Sequence, residues 1–266
     1  ISTPRLSSAA SDVYKRQGEH RDTYFRLNMT ITAEPREFFR EMLKKLPEIS
    51  PSFSKIWQQR KCLLAEKRSA YLSRIPFSDM EVFDFLLNNL PGQANLHLGN
   101  STPVRYSQLF GSTNRYTYYS NRGVSGIDGQ VSTVAGAAYA KSELQVLITG
   151  DLGFLYDSNG LMNHYLKPNL KIIVINNAGG GIFRFIEGPA QSGHLEEFFE
   201  VKHSWKAEKI VEAFGLDYYT ANNRSELEET FDTFINDTKS PAVLEIFTPN
   251  EKNAEILKGY FDYLKS

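Results

Sequence analysis

Cysteine is nearly absent. Cys62 stands alone in 266 residues, so no internal disulfide can form, and the chain suits a reducing compartment. Long apolar runs are missing as well: none approaches the roughly 18 residues that a membrane-crossing helix requires. The N-terminus lacks the basic-then-apolar layout of a secretory signal. There is no excess of positive charge, since 30 basic side chains face 31 acidic ones, and nucleic acid normally selects a basic stripe. A GxGxxG dinucleotide fingerprint is absent. No two histidines have metal-ligand spacing on one face: His97 lies in a strand pattern, and His164 and His203 lie in or beside helices. These absences predict a cytoplasmic protein with neither nucleic acid nor membrane as partner.

What is present supports a large core. Hydrophobic residues make up 41% of the chain, enough for one large domain, or one domain plus a fragment. Residues 1–17 have no hydrophobic period, and DVYKRQ (Asp12–Gln17) resembles a translated transposase end from library adapters. They are read as an adapter artefact or a disordered tail and are set aside. Residues 18–77 are polar, with helical patterns at PREFFREMLKKL and from Ile56 to Leu72; they read as the remnant of a middle domain with linker helices. From Ser78 to Ser266 short apolar strands alternate with amphipathic helices.

The predicted strands are Ala94–Leu98, Tyr116–Tyr119, Val146–Thr149, Lys171–Ile175, Leu216–Thr220 and Ala242–Phe247. The predicted helices are Met80–Leu90, Gln130–Ala140, Phe154–Tyr165, Lys206–Phe214 and Ser225–Asp237, the last opening on a Ser225/Glu228 capping box. This alternation predicts an α/β fold: three layers, α/β/α, around a mostly parallel sheet of about six strands. Ligands of such sheets bind beyond the carboxyl ends of the strands.

Two of those ends carry chemistry. VLITGD ends on Asp151, and IIVINNAGGG ends on Asn176 and Asn177 followed by glycines. A carboxylate, a carboxamide oxygen and bared backbone carbonyls are hard ligands that suit Mg²⁺ shared with phosphate oxygens. The amides of Leu152 and Gly153 open a helix and could face an anion. Each piece alone also has an ordinary reading, as a helix cap or as a turn.

Taken together, GDLGFLYDSNGL and NNAGGGIF resemble the diphosphate and metal motif of thiamine-diphosphate enzymes. With LGNSTPVR (Leu98–Arg105) and SNRGVSGIDG (Ser120–Gly129), the chain resembles the 2-succinyl-5-enolpyruvyl-6-hydroxy-3-cyclohexene-1-carboxylate synthase family of menaquinone biosynthesis. The likeness covers about Glu81 to Phe247. It implies thiamine diphosphate bound through Gly150, Asp151, Leu152, Gly153 and Asn177. Mg²⁺ or Mn²⁺ would be held by Asp151, Asn177 and the Gly179 carbonyl. Ala178 departs from relatives that carry a third Asn there, a change that a backbone role tolerates. Ile127 is implied to prop the bent cofactor, or else is the first core residue of its helix. Ser101, Arg105 and Arg122 are implied to face substrate, with Ile182, Phe183 and Ile186 as an apolar wall. Arg184 points either outward or to a substrate carboxylate.

The same resemblance implies a transferase that decarboxylates 2-oxoglutarate and adds the succinyl carbanion to isochorismate, within a homodimer or homotetramer. The glutamate that activates the cofactor in this family belongs to an N-terminal domain for which this chain has no candidate. The chain is therefore expected to be an inactive C-terminal fragment of a longer enzyme. Two alternatives stay open: another 2-oxoacid decarboxylase or acetohydroxyacid synthase, against which GDL in place of GDG speaks, and a catalytically silent binding subunit.

Overall fold

The computed structural model describes residues 28–29, 31–47, 52–110 and 115–265; the readings for residues 1–17 lie outside them. The chain divides into two compact units, Ile1–Leu63 and Leu64–Ser266. In the first, PREFFREMLKK forms helix α1 (Pro35–Lys45), with proline at its start and Lys44 and Lys45 in its last turn. None of its residues is buried. Helix α2 (Ser52–Leu72) begins before the Ile56 expected from the pattern and runs across the unit boundary.

The second unit holds the sheet. Its strands are β1 (Asn95–Leu98), β2 (Thr117–Tyr119), β3 (Gln145–Gly150), β4 (Leu170–Asn176), β5 (Asp217–Ala221) and β6 (Ala242–Phe247). They lie in the order β2-β1-β3-β4-β6-β5, every pair parallel. Side-chain alternation explains the three layers. On β4, Ile173 and Ile175 join one apolar core, and Ile172 and Val174 join the other. A strand apolar on both faces must be covered twice, as central parallel strands are.

Helices α3 (Asp79–Asn89), α8 (Arg224–Asn236) and α9 (Asn250–Lys265) supply Phe83, Phe231 and Ile256 to the first core. Helices α5 (Gln130–Ala140), α6 (Asp151–Tyr156) and α7 (Glu208–Ala213) supply Val131, Phe154 and Val211 to the second. The chain runs from β1 outward to β2, then returns to the other side of β1 as β3. This reversal makes the β1/β3 boundary the switch point where a crevice opens.

Three local expectations need correcting. The helix predicted over Phe154–Tyr165 ends at Tyr156 and gives way to a 3-10 turn over Ser158–Leu161. Asp157 is the reason: its carboxylate accepts from Ser132 N at 2.8 Å and from Ser132 Oγ, so the chain turns to cap the first turn of α5. The capping box of α8 is Asn223/Glu226, not Ser225/Glu228. Asn223 Oδ1 accepts from Glu226 N at 3.0 Å, and Glu226 Oε2 accepts from Asn222 N at 2.8 Å. Finally, α9 and helix α4 (Thr102–Leu109), which follows the LGNS turn, were not foreseen.

Candidate functional site

Because every strand is parallel, the loops after β1, β2, β3, β4 and β6 leave the same edge of the sheet. A chain of side-chain hydrogen bonds joins four of them. Arg122 Nη1, beyond β2, donates to Asn100 Oδ1 beyond β1 at 2.8 Å. Asn100 Nδ2 donates in turn to the carbonyls of Asn121 and Gly126. One residue on, the Ile127 carbonyl accepts from Gln130 Nε2 at 2.7 Å, and Gln130 Oε1 accepts from Thr149 Oγ1 on β3 at 2.8 Å. Asp151 follows directly, and its Oδ2 accepts from Gly179 N beyond β4 at 2.9 Å. The motifs LGNSTPVR, SNRGVSGIDG, GDL and NNAGG are thus wired together although they span some eighty residues.

The two asparagines that end β4 have opposite fates. Asn176 is spent inside the protein: Nδ2 donates to Glu245 Oε1 at 2.7 Å and to Trp205 O, while Oδ1 accepts from Ala178 N. Asn177 donates through Nδ2 to Asp79 Oδ2 at 3.1 Å, but its buried Oδ1 has no partner among the described residues. A buried amide oxygen left unsatisfied costs about 1–3 kcal/mol and calls for a cation or a donor. Asp151, 4% exposed, is one strand over, since β3 and β4 pair with Gly150 opposite Ile175. Its Oδ1 is engaged by Leu152 N at 2.7 Å, so that amide is not free for an anion in this conformation.

The glycine turn is close-packed. Gly179 has φ +148°, and a Cβ there would sit 2.7 Å from the Glu200 carbonyl oxygen. Neighbouring Ala178 holds φ +64° and Ser101 holds φ +75°, conformations that L-residues adopt at a cost and that gather at functional sites. No group of three or more His, Cys, Asp or Glu side chains that could hold a metal occurs among the described residues. The donor set offered here is one carboxylate, one carboxamide and backbone, which fits a hard cation that keeps part of its shell for phosphate oxygens.

Other predicted residues occupy the same edge. Arg105 and Arg122 are exposed; partial burial, and after it the Arg122 guanidinium, pull the Arg105 pKa down. Two neighbouring guanidiniums without a carboxylate partner suit an anion. Arg105 Nη1 donates to the Ser101 carbonyl at 2.7 Å. Ile127 is half-buried and belongs to neither apolar core, and the same holds for buried Ile182. Phe183 packs on Phe199 with ring centroids 5.8 Å apart, whereas Ile186 is exposed. Arg184 does not reach for substrate: it pairs with fully buried Glu200 through Nε at 2.6 Å and Nη2 at 2.7 Å, and with Glu196.

Several site residues escaped the sequence reading. Asp79 opens α3 beneath Asn177 and is 1% exposed. Burial, with the Asp151 charge adding to it, pushes its carboxyl up to about 6 against the pull of hydrogen bonds from Thr248, Asn177 and Asn253. His203 Nε2 lies 3.2 Å from Asp151 Oδ2, yet it is buried and makes no well-directed hydrogen bond. Its Nδ1 accepts from Trp205 N, and the two rings stack. Glu200 also anchors Asn250 Nδ2, and its carbonyl accepts from Gly180 N. Of these residues the sequence reading named only His203, as lying beside a helix, and gave it no role.

Residues 99–246 match the family described as thiamine pyrophosphate enzyme, C-terminal TPP binding domain. The match takes in just over half of the chain and every loop described above except the one after β6, and the chain belongs to that family. Within it the chain is a homologue of proteins named 2-succinyl-5-enolpyruvyl-6-hydroxy-3-cyclohexene-1-carboxylate synthase. It is 39% identical to the one from Flavobacterium johnsoniae over 91% of this chain and 44% of the relative. To the one from Christiangramia forsetii it is 43% identical over 74% of this chain and 34% of the relative. The Bacteroides thetaiotaomicron protein is 33% identical over 93% of this chain and 44% of its own length. The chain thus spans less than half the length of these curated relatives.

Proposed function

We propose that this chain is the diphosphate-holding part of a cytoplasmic thiamine-diphosphate transferase that decarboxylates 2-oxoglutarate and joins the remaining four carbons to isochorismate. The observation that carries the reading is the buried, unpartnered Asn177 Oδ1 beside the Asp151 strand end. Asp151, Asn177 Oδ1 and the Gly179 carbonyl would hold Mg²⁺ or Mn²⁺, and through it the cofactor's diphosphate. When bound, thiamine diphosphate supplies the electron sink that allows a 2-oxoacid to lose CO₂.

The remaining steps belong to this chain's residues. Gly150 leaves open the space at the β3 end, Gly153 lets α6 pack against Thr149 and Gln130, and Ile127 stands free of the core to support the cofactor. Arg105 and Arg122 offer two forks for the carboxylates that both substrates carry. Ser101, at positive φ on the N-cap of α4, would offer its hydroxyl to the same substrates. Ile182 and Phe183, with Ile186 at the rim, exclude water from the reacting carbons.

The activating glutamate is assigned to a preceding domain of a longer, homo-oligomeric protein, with residues 18–77 as the approach to that domain. The 266-residue chain by itself is expected to release no product from 2-oxoglutarate and isochorismate with cofactor and Mg²⁺, while the full-length protein does. Turnover with pyruvate as acceptor but not with isochorismate would replace this reading by an acetohydroxyacid synthase. Product from the 266 residues alone would remove the need for the missing glutamate.

A further inference from the structure

An asparagine side chain can turn either its oxygen or its NH₂ toward a neighbour, because rotation by 180° about its last torsion costs little by itself. Only the oxygen can bind a cation. Something must therefore decide which end of Asn177 faces the ion. The Asn176–Glu245 pair shows how this protein decides such a question: a buried carboxylate accepts from the NH₂ and so commits the oxygen to the opposite side, where it meets Ala178 N.

Asp79 stands in the same relation to Asn177. Its Oδ2 accepts from Asn177 Nδ2 at 3.1 Å. Its Oδ1 accepts from Thr248 Oγ1 at 2.5 Å, and its own amide donates to Asn253 Oδ1 at 2.9 Å. Thr248, just beyond β6, thus holds the carboxylate, Asn253 of α9 holds the Asp79 main chain, and the residue is almost fully buried. Reversing the Asn177 amide would set two acceptor oxygens against each other and aim an NH₂ at the ion. The internal device on Asn176 ends in a satisfied oxygen; the one on Asn177 ends in a buried oxygen with nothing to accept from.

We propose that Asp79 is a positioning residue of the metal site, which takes the Asn177 NH₂ and thereby commits Asn177 Oδ1 to the divalent cation. The inference rests on the reading that Asp151, Asn177 and Gly179 hold that cation. Asp79 itself touches neither ion nor cofactor in this arrangement. Its contribution is orientation, which for outer partners of metal ligands is worth about 10–100-fold in affinity.

The test uses the full-length protein, with Mn²⁺ as the probe and its binding read by electron paramagnetic resonance in the presence of thiamine diphosphate. Asp79→Asn, nearly isosteric, is expected to weaken Mn²⁺ by about 10–100-fold. In an Asn177→Ala background the same change should add almost nothing, because Asp79 acts only through Asn177. A wild-type Mn²⁺ affinity for Asp79→Asn, or full additivity in the double variant, overturns the proposal. If Asp151→Ala and Asn177→Ala also bind Mn²⁺ normally, the metal reading itself falls; if they lose it while Asp79→Asn does not, only the positioning role falls. Should Asp79→Asn not fold, the Mn²⁺-bound wild-type crystal structure decides. Asn177 Oδ1 on the ion with Nδ2 on Asp79 upholds the proposal, and the reversed amide ends it.

Discussion

The two edges of the sheet treat polar side chains in opposite ways. At the amino edge, long side chains are spent on backbone carbonyls. Lys171 Nζ donates to Ser240 O, Asn169 Nδ2 reaches Ala138, Lys141 and Glu143, and Arg115 covers Asn88 and Leu90. At the carboxyl edge, side chains bond other side chains as well as carbonyls, and atoms are left over. Among the described residues, six buried side-chain polar atoms lack a partner, and Ser78 Oγ, Asn177 Oδ1, His203 Nε2 and Asn250 Oδ1 all belong to this edge or its support. The other two are Tyr106 Oη on α4 and, at the amino edge, Asn169 Oδ1. Positive φ occurs at both edges: Ser101, Ala178 and Gly179 hold it on the carboxyl edge, and Gln93 holds φ +69° just before β1. The carboxyl edge thus keeps most of the unsatisfied buried groups, which a ligand can complete.

That contrast is broken most directly at Asp151. Asp151→Ala in the full-length protein should lower metal-dependent cofactor affinity by at least about 100-fold, since outer partners alone are worth 10–100-fold. Thermal stability without metal should change little, because the carboxylate's partners there are one backbone amide on each oxygen and an off-axis His203. Calorimetric titration with thiamine diphosphate and Mg²⁺ reads the first quantity, and a melting curve reads the second. An unchanged titration would remove Asp151 from the ion's shell and, with it, the distinction between the edges.

What could be read beforehand follows the same division. The sheet was legible because β4 is apolar at every position from Ile172 to Ile175, and a run buried on both faces has few other places to go. Asp151 and the asparagine pair stood out because an apolar run stops just before each, whereas the roles given to Asp151, Asn177 and Gly179 came from the family resemblance and stay part of the proposal. Asp79 was not legible: 98 residues separate it from Asn177, and 169 separate it from Thr248. Nothing local distinguishes a buried carboxylate that steers an amide from a helix cap, and SDME reads as the latter. His203, Glu200 and Asn250 were hidden for the same reason. Their contacts arise only once the segment after β4 folds back on the glycine turn. The Phe154–Tyr165 helix failed differently, because Asp157 has a tertiary partner in Ser132 that outweighs local propensity.

The amino edge provides the converse test. Lys171 is 1% exposed, and its ammonium sits over the Phe234 ring while bonding Ser240 O. Lys171→Ala removes that packing and orphans a carbonyl, so a loss of about 2–4 kcal/mol in stability is expected. Urea unfolding measures it. Mn²⁺ and cofactor affinities should stay at wild-type values, because Lys171 begins β4 while the site lies beyond its far end. A changed affinity would mean that the two edges are coupled through β4, and the division drawn above would need to be abandoned.

The smallest effect is expected in the middle of the sheet, at His97. It is 6% exposed, its Nε2 contacts Gln145 Oε1 at 3.0 Å, and its ring stacks on Tyr119. Burial lowers its pKa, Lys141 adds to that, and the Gln145 hydrogen bond partly resists. The folded protein therefore keeps His97 neutral at pH values where the unfolded chain, with a pKa of about 6.5, already takes up a proton. Since the unfolded state then binds more protons, stability must fall as pH drops below about 6.5, and the loss stops once the folded pKa is passed. His97→Gln cannot titrate and should flatten this part of the profile when unfolding free energies at pH 7.5 and 5.5 are compared. If the variant and the wild type show the same slope, His97 is not the source of the acid sensitivity.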